Sequence, residues 1–516
     1  MLARCKTAAL LGLEARPVLV EVDLAPGLPG LQMVGLADAA VQESRERVRS
    51  ALRHSNQKVP QTRVVVNLAP ADLRKEGPGF DLPIALGLLL ASGQLAEASS
   101  EAVWSAGELA LNGELRPIRG VLAIAIAARQ HGARALVVPQ ANAWEAALVD
   151  GLQVWGASDL NQVLWHLQHP QASHQNLQPL GPQARRPGPT GPEVGDLAAV
   201  KGQAHGRRAL EIAAAGGHHL LLCGPPGSGK TMLAQRLAGL LPALNPAEAL
   251  ELTAIHSVAG LLDSSQGLLE TRPFRSPHHS CSAAGLLGGG GLPRPGELAL
   301  AHHGVLFLDE LAEFRRAVLD QLRQPLEDGE VWIHRARQRT RFPCQITLVA
   351  ATNPCPCGWL GDPERSCSCG EGQRQRYWGR LSGPLLDRID LQVVMRRPSS
   401  HALTAPFRQH SDGDGPESTA VVRQRVLRAR EHMAARNPAG CSNGRIPGGV
   451  LHQVVQLEPQ ALLVWEGALR QRQLSARAGA RLLRVAQTIS DLGAQSQISA
   501  AAIAEALTYR SFDQMH

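Results

Sequence analysis

A glycine-rich stretch contains the residues whose types and spacing point most clearly to chemistry. Residues 224–231 read Gly-Pro-Pro-Gly-Ser-Gly-Lys-Thr and follow the apolar run 220–223 directly. Between a predicted strand and a predicted helix, such a loop turns its backbone N–H groups toward the phosphates of a nucleotide. Lys230 would then reach the β- and γ-phosphates, and the Thr231 hydroxyl would ligate Mg²⁺. The other residues of the predicted loop are Gly224, Pro225, Pro226, Gly227, Ser228 and Gly229. The stretch therefore predicts binding of ATP with Mg²⁺; the alternative is a glycine turn with an incidental lysine.

Two carboxylates follow a second apolar run, residues 305–308. Asp309 directly after a buried strand is placed to hold the water shell of a metal ion, and Glu310 is placed to polarise an attacking water. An acidic pair after a strand is moderate evidence by itself. Together with residues 224–231 it predicts ATP hydrolysis.

Two further polar residues lie at the ends of apolar segments. Asn353 follows the predicted strand 346–350 and can contact a γ-phosphate or hold the lytic water, although a turn residue is the alternative. Arg388 lies in the otherwise apolar stretch 385–390. An arginine that projects into a neighbouring subunit's γ-phosphate accelerates turnover by about 10³–10⁵. An ordinary salt bridge to Asp387 or Asp390 is the alternative.

Length, charge and composition limit the class of protein. The chain has 516 residues, 44% of them hydrophobic, which suits about three domains with real cores. No apolar run reaches the length of a membrane span, and no secretion signal is visible, so the cytoplasm is the expected location. The formal net charge of +7 permits a polyanionic partner. Aromatic residues are only 3%, which argues against an extended base-stacking platform.

The composition changes along the chain and predicts its domains. We expect a mixed α/β domain over residues 1–168, a proline-rich linker over 169–193 and a nucleotide-binding α/β core over 194–398. A polar, flexible loop over 399–417 precedes a helical domain over 418–516. The predicted fold class is α/β.

Arginines at alternate positions mark residues 331–342 as a hairpin candidate. They are Arg335, Arg337, Arg339 and Arg341. Alternation predicts that all four side chains share one face of a strand or hairpin. Such a face can grip the phosphates of DNA, with binding that weakens as salt rises. A solvated charged surface is the alternative.

Four of the nine cysteines form two pairs. They are Cys355, Cys357, Cys367 and Cys369. Four thiolates this close together suit a tetrahedral structural Zn²⁺ site better than disulfides, whereas redox-sensitive or merely exposed thiols are the alternative. The His doublets 218–219, 278–279 and 302–303 are better explained by packing or hydrogen bonding, because adjacent side chains diverge.

Several longer motifs resemble magnesium-chelatase-like AAA+ ATPases of the YifB/ComM type. They are residues 272–279, 288–291, 295–298, 308–310, 323–329 and 353–358, and the resemblance extends over essentially the whole chain. It implies an AAA+ core with a C-terminal helical lid in a homo-oligomeric, hexameric ring. The implied activity is DNA helicase and branch migration, on single-stranded or branched DNA, during natural transformation or recombination. By the same resemblance Asn353 is sensor 1, Arg388 the arginine finger and Arg477 sensor 2, and the insertions 270–292 and 331–342 are pore loops.

Residues 75–81, 113–118 and 137–139 resemble a Lon-type protease domain. That family uses a serine–lysine dyad, but the serine position is Gly79 here and the lysine position is Leu122. Neither side chain can act as nucleophile or base. We therefore expect a degenerate domain without peptidase chemistry through this dyad.

Two other functional classes stay open at this point. One is a chelatase-type or protein-remodelling motor that does not act on DNA. The other is a nucleotide-gated DNA-binding protein without motor activity.

Overall fold

The computed structural model describes residues 2–96, 102–169, 177–180, 195–262, 267–290, 293–335, 338–398 and 416–511. It shows a mixed α/β protein with an N-terminal sheet, a central parallel sheet and a C-terminal group of helices. Among the described helices, none is long and apolar enough to cross a membrane.

A mixed eight-stranded sheet organises the N-terminal region. Its strand order is β10-β9-β8-β5-β1-β2-β4-β3. The strands and helices here are β1 Leu2–Leu11, β2 Glu14–Ala25, β3 Gly30–Val34, α1 Ala39–His54, β4 Arg63–Ala69, α2 Asp81–Ala91, β5 Val103–Ser105, β6 Glu108–Leu109, β7 Leu115–Arg116, α3 Val121–Gln130, β8 Ala135–Pro139, α4 Ala143–Ala146, β9 Gln153–Ala157, α5 Leu160–Gln168 and β10 Pro179–Leu180. Helix α2 is buried along its whole length because it is apolar on every side, as its sequence predicts.

Most of the predicted linker 169–193 and of the predicted loop 399–417 lies outside the described residues. Within the linker, β10 pairs antiparallel with β9, with Leu180 opposite Val154. This part of the predicted linker therefore adds an edge strand to the N-terminal sheet.

A five-stranded parallel sheet of order β12-β15-β18-β11-β19 forms the central region. The elements here are α6 Ala204–Gly216, β11 Leu220–Cys223, α7 Lys230–Leu240, α8 Pro246–Ala259, β12 Phe274–Arg275, α9 Ala283–Leu287, β13 Gly288–Gly289, β14 Arg294–Pro295, α10 Glu297–Leu300, β15 Val305–Leu308, α11 Arg316–Asp320, α12 Arg323–Asp328, β16 Glu330–Arg335, β17 Gln338–Pro343, β18 Thr347–Thr352, α13 Glu371–Trp378, α14 Gly383–Leu386 and β19 Leu391–Val394. Strands β11, β15 and β18 are buried along their whole length, as continuous apolar runs in a parallel sheet require.

The parallel register divides the polar residues between two edges of this sheet. Cys223 lies opposite both Thr352 and Val394. Residues that follow these strands, among them Gly224 and Asn353, therefore lie at the carboxyl edge. Residues that precede β11 and β19, among them His219 and Arg388, lie at the amino edge. A four-residue strand separates the two edges by about 13 Å.

Helices make up the C-terminal region. They are α15 Thr419–Arg436, α16 Leu451–Val454, α17 Pro459–Gln471, α18 Ala476–Leu492 and α19 Ala500–Thr508. Buried side chains of α15, α18 and α19 belong to the same apolar cluster as those of α6 and β11. The helical region is therefore packed onto the central sheet by a continuous core.

Specific contacts join the N-terminal region to the central one. The buried carboxylate of Glu145 accepts the Leu122 backbone N–H at 2.9 Å and also accepts the hydroxyl of Ser257 in α8. Burial raises the pKa of this carboxyl group. A second contact lies at the turn between β1 and β2, where a Cβ on Gly12 would meet the Thr340 methyl group of β17.

Candidate functional site

The loop 224–231 surrounds an open cradle at the carboxyl edge of the central sheet. Gly227 and Gly229 have φ angles of +78° and +87°, and a Cβ added at either position would meet no atom within 4 Å. Helix α7 begins at Lys230, so its N-terminal N–H groups adjoin the loop. The Ser228 hydroxyl is buried and has no hydrogen-bond partner within the described part of the chain. Open space and an unpaired polar group suit a loop that receives a phosphate chain.

Lys230 and Thr231 face the polar residues that follow the neighbouring strands. The Lys230 ammonium donates to the carbonyl oxygens of Gly224 at 2.7 Å and Pro225 at 3.1 Å, and to Asn353 Oδ1 at 3.2 Å. The Thr231 hydroxyl donates to Asp309 Oδ2 at 2.9 Å. Burial lowers the pKa of Lys230. Four of the residues predicted from the sequence therefore form two contacting pairs, Lys230 with Asn353 and Thr231 with Asp309.

Glu310 lies beside them and has an unexpected partner. Its side chain is 56% exposed, and its Oε2 lies 3.1 Å from His279 Nδ1. The ring of His279 is also close to that of Phe314, with a centroid separation of 6.5 Å. Because β12 and β15 are parallel neighbours, residues that follow them meet at one edge of the sheet. No sequence motif marks His279 as a partner of Glu310; the position of both residues after adjacent strands is the signal that could have found it.

Arg388 and Arg477 lie elsewhere, together. Both reach the carboxylate of Glu327, Arg388 at 2.5 Å and Arg477 at 3.8 Å. They line a cavity of about 710 Å³ between the amino edge of the sheet and the C-terminal helices, which Arg481 and Arg484 also line. Within the described residues, Arg388 Nε, Arg481 Nη1 and Arg484 Nε are buried without a hydrogen-bond partner. Arg388 thus forms a salt bridge to Glu327 rather than to Asp387 or Asp390.

The four paired cysteines converge on one point. All four sulfur atoms lie within 4.8 Å of one another. Cys355 Sγ is 3.3 Å from that of Cys357 and 3.6 Å from that of Cys367, and the latter two are 3.6 Å apart. A tetrahedral zinc with bonds of about 2.3 Å needs sulfur atoms about 3.8 Å apart. The backbone N–H groups of Cys357 and Cys369 also point at sulfur, at 3.3 and 3.4 Å. The donor set and its spacing fit Zn²⁺.

Comparisons with known proteins show what the chain is similar to. Three family models match: "Magnesium chelatase, subunit ChlI" over residues 196–403, "Subunit ChlI of Mg-chelatase" over 20–142, and "Magnesium chelatase, subunit ChlI C-terminal" over 416–510. The chain is 44% identical over 515 residues to protein YifB of Salmonella typhimurium, covering 100% of this chain and 98% of YifB. It is 44% identical over 516 residues to the competence protein ComM of Haemophilus influenzae, covering 99% and 97%. The chain belongs to the YifB/ComM family of magnesium-chelatase-like proteins.

A shorter match connects this member of the YifB/ComM family to a protease. Lon protease 2 of Bacillus subtilis is 30% identical over 163 residues, which is 28% of each chain. In the N-terminal region, a cavity of about 370 Å³ is lined by Gly79, Ile118 and Ile124 among others. Its described lining includes no serine, threonine, cysteine or lysine. Leu122 is fully buried in α3.

The arginine-rich hairpin is present, but the prediction of one shared face is wrong. In the antiparallel register of β16 and β17, Trp332 lies opposite Arg341, His334 opposite Arg339, and Arg335 opposite Gln338. In this register, odd-numbered residues of β16 and odd-numbered residues of β17 lie on opposite faces, so alternation along the chain does not predict one shared face. Arg339 and Arg341 share a face, whereas Arg335 occupies a register position of the other face. Arg337 lies outside the described residues.

Arg339 and Arg341 have identifiable neighbours. The guanidinium of Arg339 lies 4.0 Å from the centroid of the Trp332 ring. Arg341 is 3.3 Å from Glu330, and its side chain is 61% exposed. The opposite face carries Val331, Ile333 and Phe342, all buried. The hairpin is therefore held to the core by one face and presents charge on the other.

The histidine doublets form hydrogen bonds, as expected, but the expectation that adjacent rings diverge is wrong for His302 and His303, whose ring centroids are 3.8 Å apart. Buried His218 contacts Asp390 at 2.9 Å, and the His219 ring accepts the Leu348 backbone N–H at 3.0 Å. His302 and His303 both approach Glu251, at 3.2 and 3.1 Å. His302 Nδ1 accepts the Gln345 N–H, so in neutral His302 the proton is on Nε2, the atom that faces Glu251. A protonated Nε2 is a donor and not a metal ligand.

Proposed function

We propose that this chain is an AAA+ ATPase that works as a homo-oligomeric ring and moves DNA. The family resemblance suggests that the ring is a hexamer. Helicase or branch-migration activity in natural transformation or recombination is the specific form proposed. One observation carries the proposal: Lys230 contacts Asn353 while Thr231 contacts Asp309 at the mouth of an open glycine cradle. A lysine, a hydroxyl, a carboxylate and an amide are the groups that phosphoryl transfer to water needs.

In this proposal each residue has a separate task. Lys230 exchanges its bonds to the loop carbonyls for bonds to phosphate oxygens. Thr231 and Asp309 would hold Mg²⁺, which neutralises phosphate charge when it is bound. Glu310 orients the attacking water and accepts its proton, and Asn353 acts as sensor 1 beside the γ-phosphate.

The positions of the polar residues at the two edges of the sheet support the proposed ring. Arg388 and Arg477 lie at the amino edge with Glu327, whereas the cradle lies at the carboxyl edge. A flexible arginine side chain is too short to cover about 13 Å of buried strand and reach the nucleotide of its own chain. We propose that both arginines act on the nucleotide of a neighbouring copy, Arg388 as arginine finger and Arg477 as sensor 2.

Two observations support DNA as the proposed substrate: the positive charge of the chain and its similarity to ComM. The chain has a formal net charge of +7, and the hairpin presents Arg339 and Arg341 on one face. Arg335 and Arg337 stay candidates for DNA contacts near the hairpin turn. ComM is described as a competence protein. The insertion 270–292 and this hairpin would face the pore of the ring, where phosphate contacts make binding salt-dependent.

Two structural assignments accompany the proposal. The four cysteines would hold a structural Zn²⁺, which can supply about 10–16 kcal/mol to a small folded site. The N-terminal domain would be a degenerate Lon-like domain, and the match to Lon protease 2 supports the likeness. It would not be an active protease, because Gly79 and Leu122 stand at the serine and lysine positions. The C-terminal helices would form the lid.

The decisive experiment measures ATP turnover with no DNA and with single-stranded, duplex and branched DNA. We expect hydrolysis in every case and stimulation by at least one DNA form, together with DNA binding at low salt. Turnover without stimulation and without DNA binding would reject the DNA proposal. It would favour a chelatase-type or protein-remodelling motor, to which the three chelatase family models point. A Glu310→Gln variant with intact function would instead favour a nucleotide-gated DNA-binding protein.

A further inference from the structure

The cysteine cluster lies against the nucleotide cradle. Asn353 is only two residues before Cys355, the one cluster member that is completely buried. Between them, the Pro354 carbonyl accepts the Trp378 indole N–H at 3.0 Å. The cluster is therefore attached by a very short segment to the residue that contacts Lys230.

A second contact reaches the glycine-rich loop itself. Gly358 has a φ angle of +83°, and its backbone N–H donates to the Cys355 carbonyl at 2.9 Å. A Cβ added to Gly358 would lie 2.8 Å from Pro226 Cδ and 4.0 Å from Asn353 Cγ. The turn 355–358, which contains the first two cysteines, therefore lies close against Pro226, with the Asn353 side chain nearby.

Residues 353–370 contain no helix or strand, and most of residues 361–370 are exposed. Besides the sulfur atoms, the segment is held by Trp359, whose ring lies 4.5 Å from Arg365 and 5.8 Å from Arg397, and by an ion pair of Arg397 with Glu364 at 3.3 Å. Four thiolates brought this close together repel one another unless protons or a metal ion neutralise them. Bound Zn²⁺ would neutralise the four thiolates and stabilise the fold of this segment.

We propose that zinc bound by Cys355, Cys357, Cys367 and Cys369 braces the ATP site, so that zinc occupancy sets the rate of hydrolysis. This inference rests on the proposed ATPase function. Bound zinc fixes the 355–358 turn, and the turn fixes Asn353 beside Lys230 and limits the movement of Pro226. Loss of zinc releases the turn, and Asn353 loses its position while the glycine cradle remains.

The first experiment uses the full chain loaded with zinc, at constant Mg²⁺. A chelator that prefers zinc over magnesium removes the metal, and zinc content, kcat, KM and binding of a fluorescent ATP analogue are measured together. We expect about a 10-fold or larger fall in kcat in proportion to the zinc lost, a smaller change in ATP binding, and recovery when Zn²⁺ is returned. Undiminished turnover in protein shown to be zinc-free would overturn the inference, as would active protein purified with reduced cysteines and no zinc.

A pair of glycine variants separates the contact from the metal. Gly358→Ala introduces the clash with Pro226, whereas Gly361→Ala has nearly the same φ angle, +77°, and open space around its Cβ. We expect both variants to retain zinc and to melt at a similar, slightly lower temperature than the wild type, because alanine is strained at a positive φ angle. Only Gly358→Ala should lose at least about fivefold in kcat. Equal kcat values in the two zinc-loaded variants would reject the proposal that the 355–358 turn positions the ATP site.

A third comparison uses two cysteine variants, with a far-UV spectrum to detect any variant that fails to fold. Cys367→Ser removes a ligand far from Asn353 in sequence, and Cys441→Ser removes a cysteine outside the cluster. We expect Cys367→Ser alone to lose zinc and turnover while the far-UV spectrum of the chain is retained. If zinc-loaded wild-type protein does not hydrolyse ATP at all, the proposed function fails; if it hydrolyses ATP regardless of zinc, only this inference fails.

Discussion

The two edges of the central sheet carry complementary parts of one proposed reaction. The carboxyl edge presents Lys230, Asp309 and Asn353 around an open cradle. The amino edge presents Arg388 and Arg477 around Glu327, beside a cavity of about 710 Å³. Among the described residues, the lysine, hydroxyl, carboxylate and amide groups therefore meet at one edge, whereas Arg388 and Arg477 meet at the other. We infer from this separation that the proposed catalytic unit is a pair of copies in which opposite edges meet.

Removing the lysine of the carboxyl edge should have the largest effect. Lys230→Ala eliminates the only described ammonium group that contacts the loop carbonyls and Asn353. We expect turnover to fall at least about 100-fold, with weaker ATP binding, because the phosphate charge loses its direct counter-charge. ATP turnover and binding of a fluorescent ATP analogue provide the measurements. Exposed Lys58 supplies the control, since Lys58→Ala should retain wild-type turnover; normal hydrolysis by Lys230→Ala would refute the assignment of the loop.

Mixing variants of the two edges tests whether they meet between copies. Arg388→Ala should bind ATP normally but hydrolyse it at least about 100-fold more slowly in the assembled ring. A mixture of Arg388→Ala with Lys230→Ala should recover measurable turnover, since some interfaces then combine an intact cradle with an intact arginine. No recovery in mixed assemblies, verified by differential tagging and co-purification, would contradict action between copies. Arg316→Ala, whose arginine is 63% exposed, serves as control.

A smaller effect should come from the partner of Glu310. His279→Ala frees a carboxylate that is otherwise held at 3.1 Å. Restricting one long side chain is worth about 1 kcal/mol, so we expect kcat to fall about fivefold with little change in KM. His278→Ala is the matched control, because His278 contacts Ser280 at 2.8 Å and not Glu310. His279→Asn, which retains a donor, should recover part of the rate; equal kcat values for the His278 and His279 alanine variants would remove this role.

The smallest predicted effect concerns His219 at the amino edge, and it is an effect on stability rather than on turnover. Burial lowers the pKa of His219 to about 4, below its ordinary 6.5, and neutral His219 accepts the Leu348 N–H. The unfolded chain therefore takes up the proton first as the pH falls. The stabilisation is complete above pH 6.5 and is lost as the pH falls toward 4, by about 1–3 kcal/mol.

Denaturant unfolding between pH 4 and pH 7 measures this loss. His219→Asn retains an acceptor that does not titrate, so its free energy of unfolding should fall less with decreasing pH than that of the wild type. Exposed His432→Asn should follow the wild type throughout. Parallel curves for all three proteins would show that His219 is not the group responsible.

Much of the carboxyl edge could be predicted because its residues lie in short contiguous motifs. The loop 224–231 and the pair Asp309–Glu310 each follow an apolar run, and such runs form buried parallel strands whose ends share an edge. The cysteines could be found for a similar reason, since all four lie within fifteen residues. Local order along the chain was sufficient to identify these groups.

The contacts between residues distant in sequence could be found only from the folded structure. Arg388 and Arg477 converge on Glu327 because the C-terminal helices pack at the amino edge, and no periodicity in the sequence encodes that choice. The contact of Gly358 with Pro226 depends likewise on how one loop lies over another. The faces of the short arginine hairpin could likewise not be assigned before the register of β16 and β17 was known, because the register determines which alternate residues share a face. The chemical groups and the strands that carry them could be predicted from short sequence motifs. The partners of these groups depend on packing, because contacts between distant segments are set by how whole elements fit together.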